Sequence, residues 1–158
     1  MKKVVIFYSK TAGGHLRTAE AIAQKLKQNS QLEVVMLDAL EKTSFGFKIN
    51  PATSFGILSI PLLPLYNFLY LLTNNFIGIK ALRGLIKFFW GFQFKKMIEY
   101  QQPDLIITTH HFISPSTIHT LNKTYPFITV VTDLGKPHRI WFDKKTDKIM
   151  FIKKVFVI

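Results

Sequence analysis

Histidine is the most prominent candidate for chemistry in this 158-residue sequence, because the chain contains five histidines and no cysteine. The absence of cysteine excludes disulfides, thiolate catalysis and cysteine-based zinc sites. His15 follows Gly13-Gly14 at the predicted start of a helix, where the positive end of the helix dipole disfavours an imidazolium. A neutral His15 can accept a proton from a hydroxyl group as a general base. The alternative is a structural role, in which His15 caps the turn or bonds the backbone.

Three further candidates stand at the carboxyl ends of apolar segments that are typical of strands. His110-His111 follow one such segment and Asp133 follows the next. Ligands of open parallel sheets bind beyond the carboxyl ends of the strands, so these residues and His15 are expected to gather at one edge. The Asp133 carboxylate can orient a histidine or contact a substrate, or it can be a turn residue. Adjacent residues of an extended chain point to opposite sides, so a metal site formed by both histidines is not expected.

The elements that must position these groups follow from hydrophobic periodicity. A strand, a helix with apolar residues at helical spacing and a second strand form a right-handed βαβ unit. The predicted strands cover residues 4–8, 32–37, 105–109 and 127–132, and the predicted helices run from the glycine turn to about 29, over 79–100 and over 115–122, the last with Ser114 as its cap. This pattern predicts an α/β fold, a Rossmann-like open parallel sheet with helices on both faces.

A long stretch without charge, residues 49–79, separates the second strand from the central helix. A transmembrane helix needs about 20 apolar residues. The length nearly qualifies, but Pro61, Pro64 and Asn67 interrupt the apolar run. We therefore expect this stretch to be buried or interfacial.

The predicted helix over 79–100 carries both apolar and basic side chains. One interpretation is a helix that packs on the core and exposes a charged face. The other is that residues 55–96 lie against an anionic bilayer, with Phe89 and Trp90 as anchors and Arg83 and Lys87 as headgroup contacts. The 21 basic against 9 acidic residues, a formal charge of +12, favour anionic partners without choosing among nucleic acid, phosphorylated ligands and acidic lipids.

The segment Thr11-Ala12-Gly13-Gly14-His15 is a glycine turn that lets the backbone approach a ligand closely. It contains neither the G-x-G-x-x-G dinucleotide fingerprint nor the Lys-Ser/Thr of a P-loop. It is similar to the opening of flavodoxins, so a flavin-mononucleotide carrier is one alternative, although flavodoxins tend to be acidic. Further along, His138 and Trp141 share a loop that is suited to a sugar or lipid headgroup, unless Trp141 belongs to the core.

Several of these segments together resemble one family over nearly the whole chain. They are Gly13-Gly14-His15 with Thr18-Ala19-Glu20-Ala21, Pro103-Asp104-Leu105-Ile106-Ile107 with Thr109-His110, and Val131-Thr132-Asp133-Leu134-Gly135 with His138, Trp141-Phe142 and Asp147. In this order they resemble the N-terminal domain of monogalactosyldiacylglycerol synthases and of the related processive diacylglycerol glucosyltransferases.

The resemblance implies half of a two-domain glycosyltransferase fold that transfers a hexose from a UDP-sugar to diacylglycerol. It implies that His15 deprotonates the acceptor hydroxyl and that Asp133 assists at the catalytic site. Gly13, Gly14, His110, His138 and Trp141 would line the acceptor side. No metal and no cofactor are implied, since the UDP-sugar would bind the other domain.

The same resemblance implies where the chain acts and with what. The expected partners are anionic membrane lipids and the diacylglycerol acceptor, with no nucleic acid. Only five strongly apolar residues follow Met1-Lys2-Lys3, too few for a signal-peptide core, so we expect a cytoplasmic protein at the inner face of the cell membrane. Residues 1–158 are expected to form the acceptor domain alone, inactive unless another polypeptide supplies the donor half. A non-catalytic lipid-binding module is the alternative.

Overall fold

The computed structural model of the chain describes residues 1–10, 13–40, 68, 70–133 and 135–151. Its strands include β1 (Lys2–Tyr8), β2 (Leu32–Asp38), β3 (Leu105–Thr108), β4 (Phe127–Val131) and β5 (Lys148–Phe151), and its helices include α1 (Gly13–Leu26), α2 (Phe76–Gln101) and a short 3₁₀ helix (Arg139–Trp141). The predicted α/β composition is therefore confirmed.

The strands form one parallel sheet in the order β2-β1-β3-β4-β5. Val5 of β1 is paired with Val35 on one side and with Ile106 on the other. The chain leaves β1 towards β2 and returns past it to β3, so the topological switch point lies between β1 and β3. In sheets of this order, ligands bind at that point, beyond the carboxyl ends of the strands.

Helices cover both faces of the sheet, as predicted. On one face, Ala19 and Ala23 of α1 pack against Val4 and Ile6 of β1. On the other, Ile86, Phe94 and Ile98 of α2 belong to the core cluster that contains Val5 and Phe7 of β1. Alternate residues of β1 thus face opposite layers, which is why the strand reads as a continuous apolar run.

Helix α2 is longer at its start than the predicted range because Asn75 caps it. The Asn75 side-chain oxygen accepts hydrogen bonds from the backbone N–H groups of Ile77 and Gly78. At the other end Gln102 adopts a left-handed conformation with φ of 46° and donates its N–H to the Ile98 carbonyl. These caps fix where α2 starts and ends, and so where its side chains meet the loops after β3 and β4.

The predicted helix over 115–122 is wrong, because side chains take the hydrogen bonds that a helix would use. The hydroxyl of Thr117 accepts from the Ser114 N–H at 2.9 Å and donates to the Phe112 carbonyl at 2.7 Å. The Ser116 N–H donates to the Asp143 carboxylate at 2.7 Å. The segment is therefore a set of turns anchored to a distant aspartate.

Gly91→Ala is expected to destabilise the fold, because α2 approaches the 117–119 loop closely at Gly91. A Cβ there would lie 2.7 Å from the Thr117 carbonyl oxygen and 3.0 Å from the His119 ring. Forcing that methyl group in should lower the free energy of unfolding by about 1–3 kcal/mol. Urea denaturation of the purified chain measures this change.

Gly84→Ala is the matched control in the same helix. A Cβ at Gly84 meets no described atom within 4 Å, so this substitution should raise stability by about 0.5–1 kcal/mol through helix propensity. Equal urea midpoints for the two variants would contradict a close approach at Gly91.

Candidate functional site

His15 lies at the switch point, and one of its ring nitrogens is held by the neighbouring strand end. It is the third residue of α1 and is buried. Its Nδ1 lies 2.6 Å from the Thr109 carbonyl oxygen and 2.8 Å from the Thr132 hydroxyl oxygen. A carbonyl oxygen can only accept, so Nδ1 carries the proton and donates it. The lone pair of a neutral His15 is therefore on Nε2.

Thr109 ties together the three segments that meet at this histidine. Its N–H donates to the Phe7 carbonyl at 2.9 Å, and its hydroxyl donates to the His15 carbonyl at 2.9 Å. The end of β1, the start of α1 and the end of β3 are thus linked through one buried residue. This arrangement fixes the orientation of the His15 imidazole before any ligand arrives.

His110 and His111 turn towards the same side, contrary to the sequence-based expectation. Strand β3 ends at Thr108, and the Thr108 hydroxyl both accepts from the His110 N–H at 3.1 Å and donates to the His110 carbonyl at 2.8 Å. These bonds bend the backbone out of the extended form on which the expectation rested. The two rings stack with centroids 4.6 Å apart, and His15 meets His110 edge-on at 4.8 Å.

Burial keeps the three imidazoles of this cluster neutral. It lowers the pKa of His15, an effect opposed by the hydrogen bond to Thr109 and by the Asp133 charge. Burial, followed by repulsion from the other two histidines, holds the pKa of His110 well below its ordinary value. The pKa of His111 falls to about 3, through burial first and then repulsion from His15 and His138. At neutral pH each ring therefore carries a single proton and one lone pair.

Asp133 and Trp141 are joined beside the histidine cluster. The Trp141 indole N–H donates to Asp133 Oδ2 at 2.6 Å. The indole is 1% exposed, and its ring centroid lies 5.3 Å from that of His111 and 6.0 Å from that of His15. Trp141 is thus a core residue that orients Asp133, and the sequence left this option open. A role for either residue in acceptor binding or catalysis stays a prediction.

His138 is placed by the 3₁₀ helix that it precedes. Its Nδ1 accepts from the Ile140 N–H at 3.1 Å, and its Nε2 lies 3.2 Å from the Thr73 hydroxyl. The ring also meets Tyr70 edge-on, with centroids 4.9 Å apart. His138 therefore links the segment before α2 to the loop after β4, and its predicted contact with an acceptor is not tested by these bonds.

Gly13 and Gly14 open α1 and face space rather than a neighbouring segment. Both are exposed, and a Cβ on either would meet no described atom within 4 Å. Within the described ranges, the only glycine with positive φ is Gly135. Neither glycine is therefore required by a left-handed backbone, and the predicted close approach of a ligand remains open.

Arg83 has a partner that its sequence position does not reveal. Its guanidinium donates to the carbonyl oxygens of Ile140 at 3.3 Å and Phe142 at 2.9 Å, 57 and 59 residues away. The cation thus caps the end of the 3₁₀ helix that carries Trp141. The guanidinium is partly buried against these carbonyls, and its predicted headgroup contact stays a prediction.

The other predicted membrane residues differ in exposure. Phe89 is 44% exposed, whereas Trp90 packs partly on the core and contacts Phe112, and Lys87 is partly buried. Of the predicted membrane segment 55–96, residues 55–67 and 69 lie outside the described residues. In the part that is described, no helix is long and apolar enough to cross a membrane. Large exposed apolar side chains on α2 are Phe76, Ile77, Leu85, Phe88, Phe89 and Phe92.

The parallel sheet and its strand order define a Rossmann-like fold, and His15 marks a candidate site at its switch point. The chain belongs to the monogalactosyldiacylglycerol synthase family, whose sequence model matches residues 15–157. The predicted resemblance is thereby confirmed, and it favours this family over a flavodoxin-like carrier. No solved structure matches the chain.

Curated relatives extend well beyond the matched region. Monogalactosyldiacylglycerol synthase 1 of Arabidopsis thaliana is 27% identical over an alignment of 162 residues. The alignment covers 90% of this chain and 28% of the relative. A probable synthase of Glycine max is 30% identical and the synthase of Spinacia oleracea 29% identical, each over 90% of this chain and 28% of the relative. The chain thus spans between a quarter and a third of the length of the relatives it matches.

Proposed function

We propose that this chain is the acceptor-lipid half of a glycosyltransferase that moves a hexose from a UDP-sugar to diacylglycerol. The observation that carries the proposal is the His15 imidazole, whose Nδ1 is bonded to the Thr109 carbonyl and whose Nε2 lone pair is free for a proton. Family membership supports the reaction class. The names of the relatives describe synthases of monogalactosyldiacylglycerol, which supports galactose as the hexose.

The reaction uses His15 Nε2 as the proton acceptor. The diacylglycerol hydroxyl oxygen forms a bond to the anomeric carbon as the bond from that carbon to the UDP oxygen breaks. The hydroxyl proton passes to Nε2, and UDP leaves with the electron pair. A base that is neutral before the step and charged after it fits the lowered pKa of His15.

Fixed groups around His15 stabilise the imidazolium that this step creates. The Thr109 carbonyl accepts the Nδ1 proton, and the Asp133 carboxylate attracts the positive charge. The Trp141 indole holds Asp133 in place. Such preorganised groups stabilise the charge that develops in the transition state without rearranging. Asp133 therefore acts as an electrostatic partner in this mechanism.

We propose that the UDP-sugar binds to a donor half other than residues 1–158. The matched region covers 28% of each of three curated relatives, which leaves room in those proteins for a further domain. We propose that residues 1–158 have no turnover unless such a donor half is supplied.

We propose that the exposed apolar side of α2, formed by Leu85, Phe88, Phe89 and Phe92, is the membrane surface of the protein. We propose that it lies on anionic lipid, peripherally, at the cytoplasmic face of the cell membrane. Lys80 and Lys96 stand over the rings of Phe76 and Phe92, at 4.4 and 4.7 Å from their centroids. Cations beside exposed rings suit a boundary between headgroups and acyl chains. The same surface favours a second candidate function, a non-catalytic lipid-binding module.

Phe88→Glu together with Phe92→Glu is expected to weaken binding to anionic vesicles at least tenfold. Removing each ring from the acyl boundary loses about 1.5–3 kcal/mol of apolar transfer free energy, and the new carboxylates repel anionic headgroups. Co-sedimentation with phosphatidylglycerol vesicles at low and high salt measures the effect.

The matched control places the same two carboxylates on the opposite face of the sheet. Gln24 and Gln28 are exposed in and just after α1, and converting both to glutamate changes the net charge equally. If this control weakens binding as much as the phenylalanine variant, net charge rather than the α2 surface governs attachment. If the unaltered chain does not bind anionic vesicles, the membrane proposal fails.

A further inference from the structure

The side chains of His15, His110 and His111 converge on one point at the switch point of the sheet. One ring nitrogen from each lies within 4.8 Å of the other two. His15 and His110 are buried and His111 is partly so. Three imidazoles that approach one another are an arrangement that proteins use to bind Zn²⁺ with a fourth position left open.

A second observation points to a missing partner at the same place. The Nδ1 of His111 is buried and has no hydrogen-bond partner among the described residues. A buried polar atom without a partner costs about 1–3 kcal/mol, so such atoms normally indicate a ligand, an ion or a water.

The hydrogen bonding of His15 is that of a metal ligand. Metal-binding histidines usually donate their second ring N–H to a backbone carbonyl or a carboxylate, which fixes the ring and the tautomer. His15 donates Nδ1–H to the Thr109 carbonyl at 2.6 Å. Nε2 is therefore the nitrogen that His15 offers to an ion, and it is also the proposed proton acceptor.

We propose that His15, His110 and His111 bind one Zn²⁺ ion and that the bound ion blocks His15 as a base. The ion and the proton compete for the same Nε2 lone pair. The binding site stands on the three imidazoles alone, whereas the blocking role rests on the proposed function. The site is thus a point at which zinc would hold the transferase inactive.

Binding requires a modest adjustment of the cluster. Ligand nitrogens around a tetrahedral Zn²⁺ at 2.0–2.1 Å lie roughly 3.3 Å apart, so nitrogens that are now up to 4.8 Å apart must approach by about 1.5 Å at most. His110 Nδ1 accepts from the Phe112 N–H at 3.3 Å, a long hydrogen bond that is lost if ligation through Nε2 moves the ring proton to Nδ1. These adjustments make the site reversible rather than permanently occupied.

Calorimetric titration of the untagged full chain with Zn²⁺ tests the site. We expect one ion per chain, with affinity lowered at least 100-fold in His15→Ala and in His111→Ala. His119→Ala is the matched control, because His119 lies outside the cluster and contacts Phe92 instead. No binding by the unaltered chain, or equal weakening by His119→Ala, overturns the proposal.

Cobalt provides a test that needs no variant. Co²⁺ in a site with three imidazoles and one open position gives an intense visible spectrum, whereas hydrated Co²⁺ gives a weak one. If the unaltered chain gives no more than the weak spectrum, the metal site is overturned. This result does not depend on whether the alanine variants fold. Transfer that is unchanged at saturating Zn²⁺ overturns the blocking role. Transfer that survives His15→Ala overturns the proposed function and leaves the metal site standing.

Discussion

His15→Ala is expected to reduce hexose transfer to diacylglycerol by about 10²–10⁴-fold, the usual contribution of a positioned general base. The loss follows from geometry, because Nε2 is the free nitrogen of a ring fixed by Thr109 and Thr132. The measurement combines the chain with a donor half taken from a curated relative and follows UDP release at saturating diacylglycerol. The variant should still bind vesicles that contain diacylglycerol, because the substitution removes the group that accepts the proton and leaves the membrane surface of α2 unchanged.

Two comparisons make this result specific. His119→Ala removes a histidine from outside the cluster and should leave transfer within twofold of the unaltered value, a change of less than about 0.5 kcal/mol in the barrier. Addition of imidazole should restore part of the activity of His15→Ala, because the cavity left by the side chain accepts a free base. Full turnover by His15→Ala without imidazole would exclude His15 as the base. Absence of transfer by the unaltered chain combined with the donor half would instead favour the non-catalytic lipid-binding module.

The fold was accessible from sequence because local patterns specify it. The apolar run over Val4 to Phe7, the helical spacing of Ala19 and Ala23 and the short β-branched strands each report on burial along a single element. Parallel order then follows from strands that alternate with helices. The exception is the 114–117 turn, where Asp143 takes the N–H of Ser116 from a separate part of the chain. No local pattern carries that information.

The site was accessible only in part, because its contacts join distant segments. His15 could be singled out from its glycine turn, but its bond to Thr132 spans 117 residues. The convergence of His110 and His111 depends on a bend made by the Thr108 hydroxyl, which a rule for extended strands cannot foresee. The one sequence signal for this bend is a threonine, Thr108, directly after the apolar residues of the strand, because a threonine hydroxyl can bond to nearby backbone groups. Arg83 gave no signal at all.

Asp143→Asn is expected to lower the free energy of unfolding by about 3 kcal/mol. The reason is that the asparagine NH₂ group would face buried N–H and O–H donors that now bond to a carboxylate oxygen. Asp143 is 2% exposed and accepts hydrogen bonds from Ser116 N–H at 2.7 Å, the Ser116 hydroxyl at 2.8 Å and Lys145 N–H at 3.1 Å. An asparagine keeps one acceptor oxygen and turns its NH₂ group towards the remaining donors. Urea denaturation at pH 7 measures the difference.

The control for Asp143→Asn is Asp147→Asn, at an exposed carboxylate that accepts one hydrogen bond from the Phe127 N–H at 2.7 Å. An asparagine there can keep that bond through its oxygen, so the loss should stay below about 1 kcal/mol. Equal losses for the two variants would show that the buried position of Asp143 has no special importance.

The pH dependence of the stability difference between the unaltered chain and Asp143→Asn tests the charge of Asp143 directly. Burial alone would raise the pKa of Asp143, but hydrogen bonds from Lys145, Ser114 and Ser116 outweigh it and hold the pKa below the ordinary 3.8. The stabilisation is therefore complete above the ordinary carboxyl pKa and is lost as the pH falls through the lower folded value. Buried histidines destabilise both proteins alike below their ordinary pKa, so their effect cancels in the comparison. The stability difference between the unaltered chain and Asp143→Asn should hold from pH 7 to about 4 and narrow below it; a difference that is already shrinking at pH 6 would mean that another group is responsible.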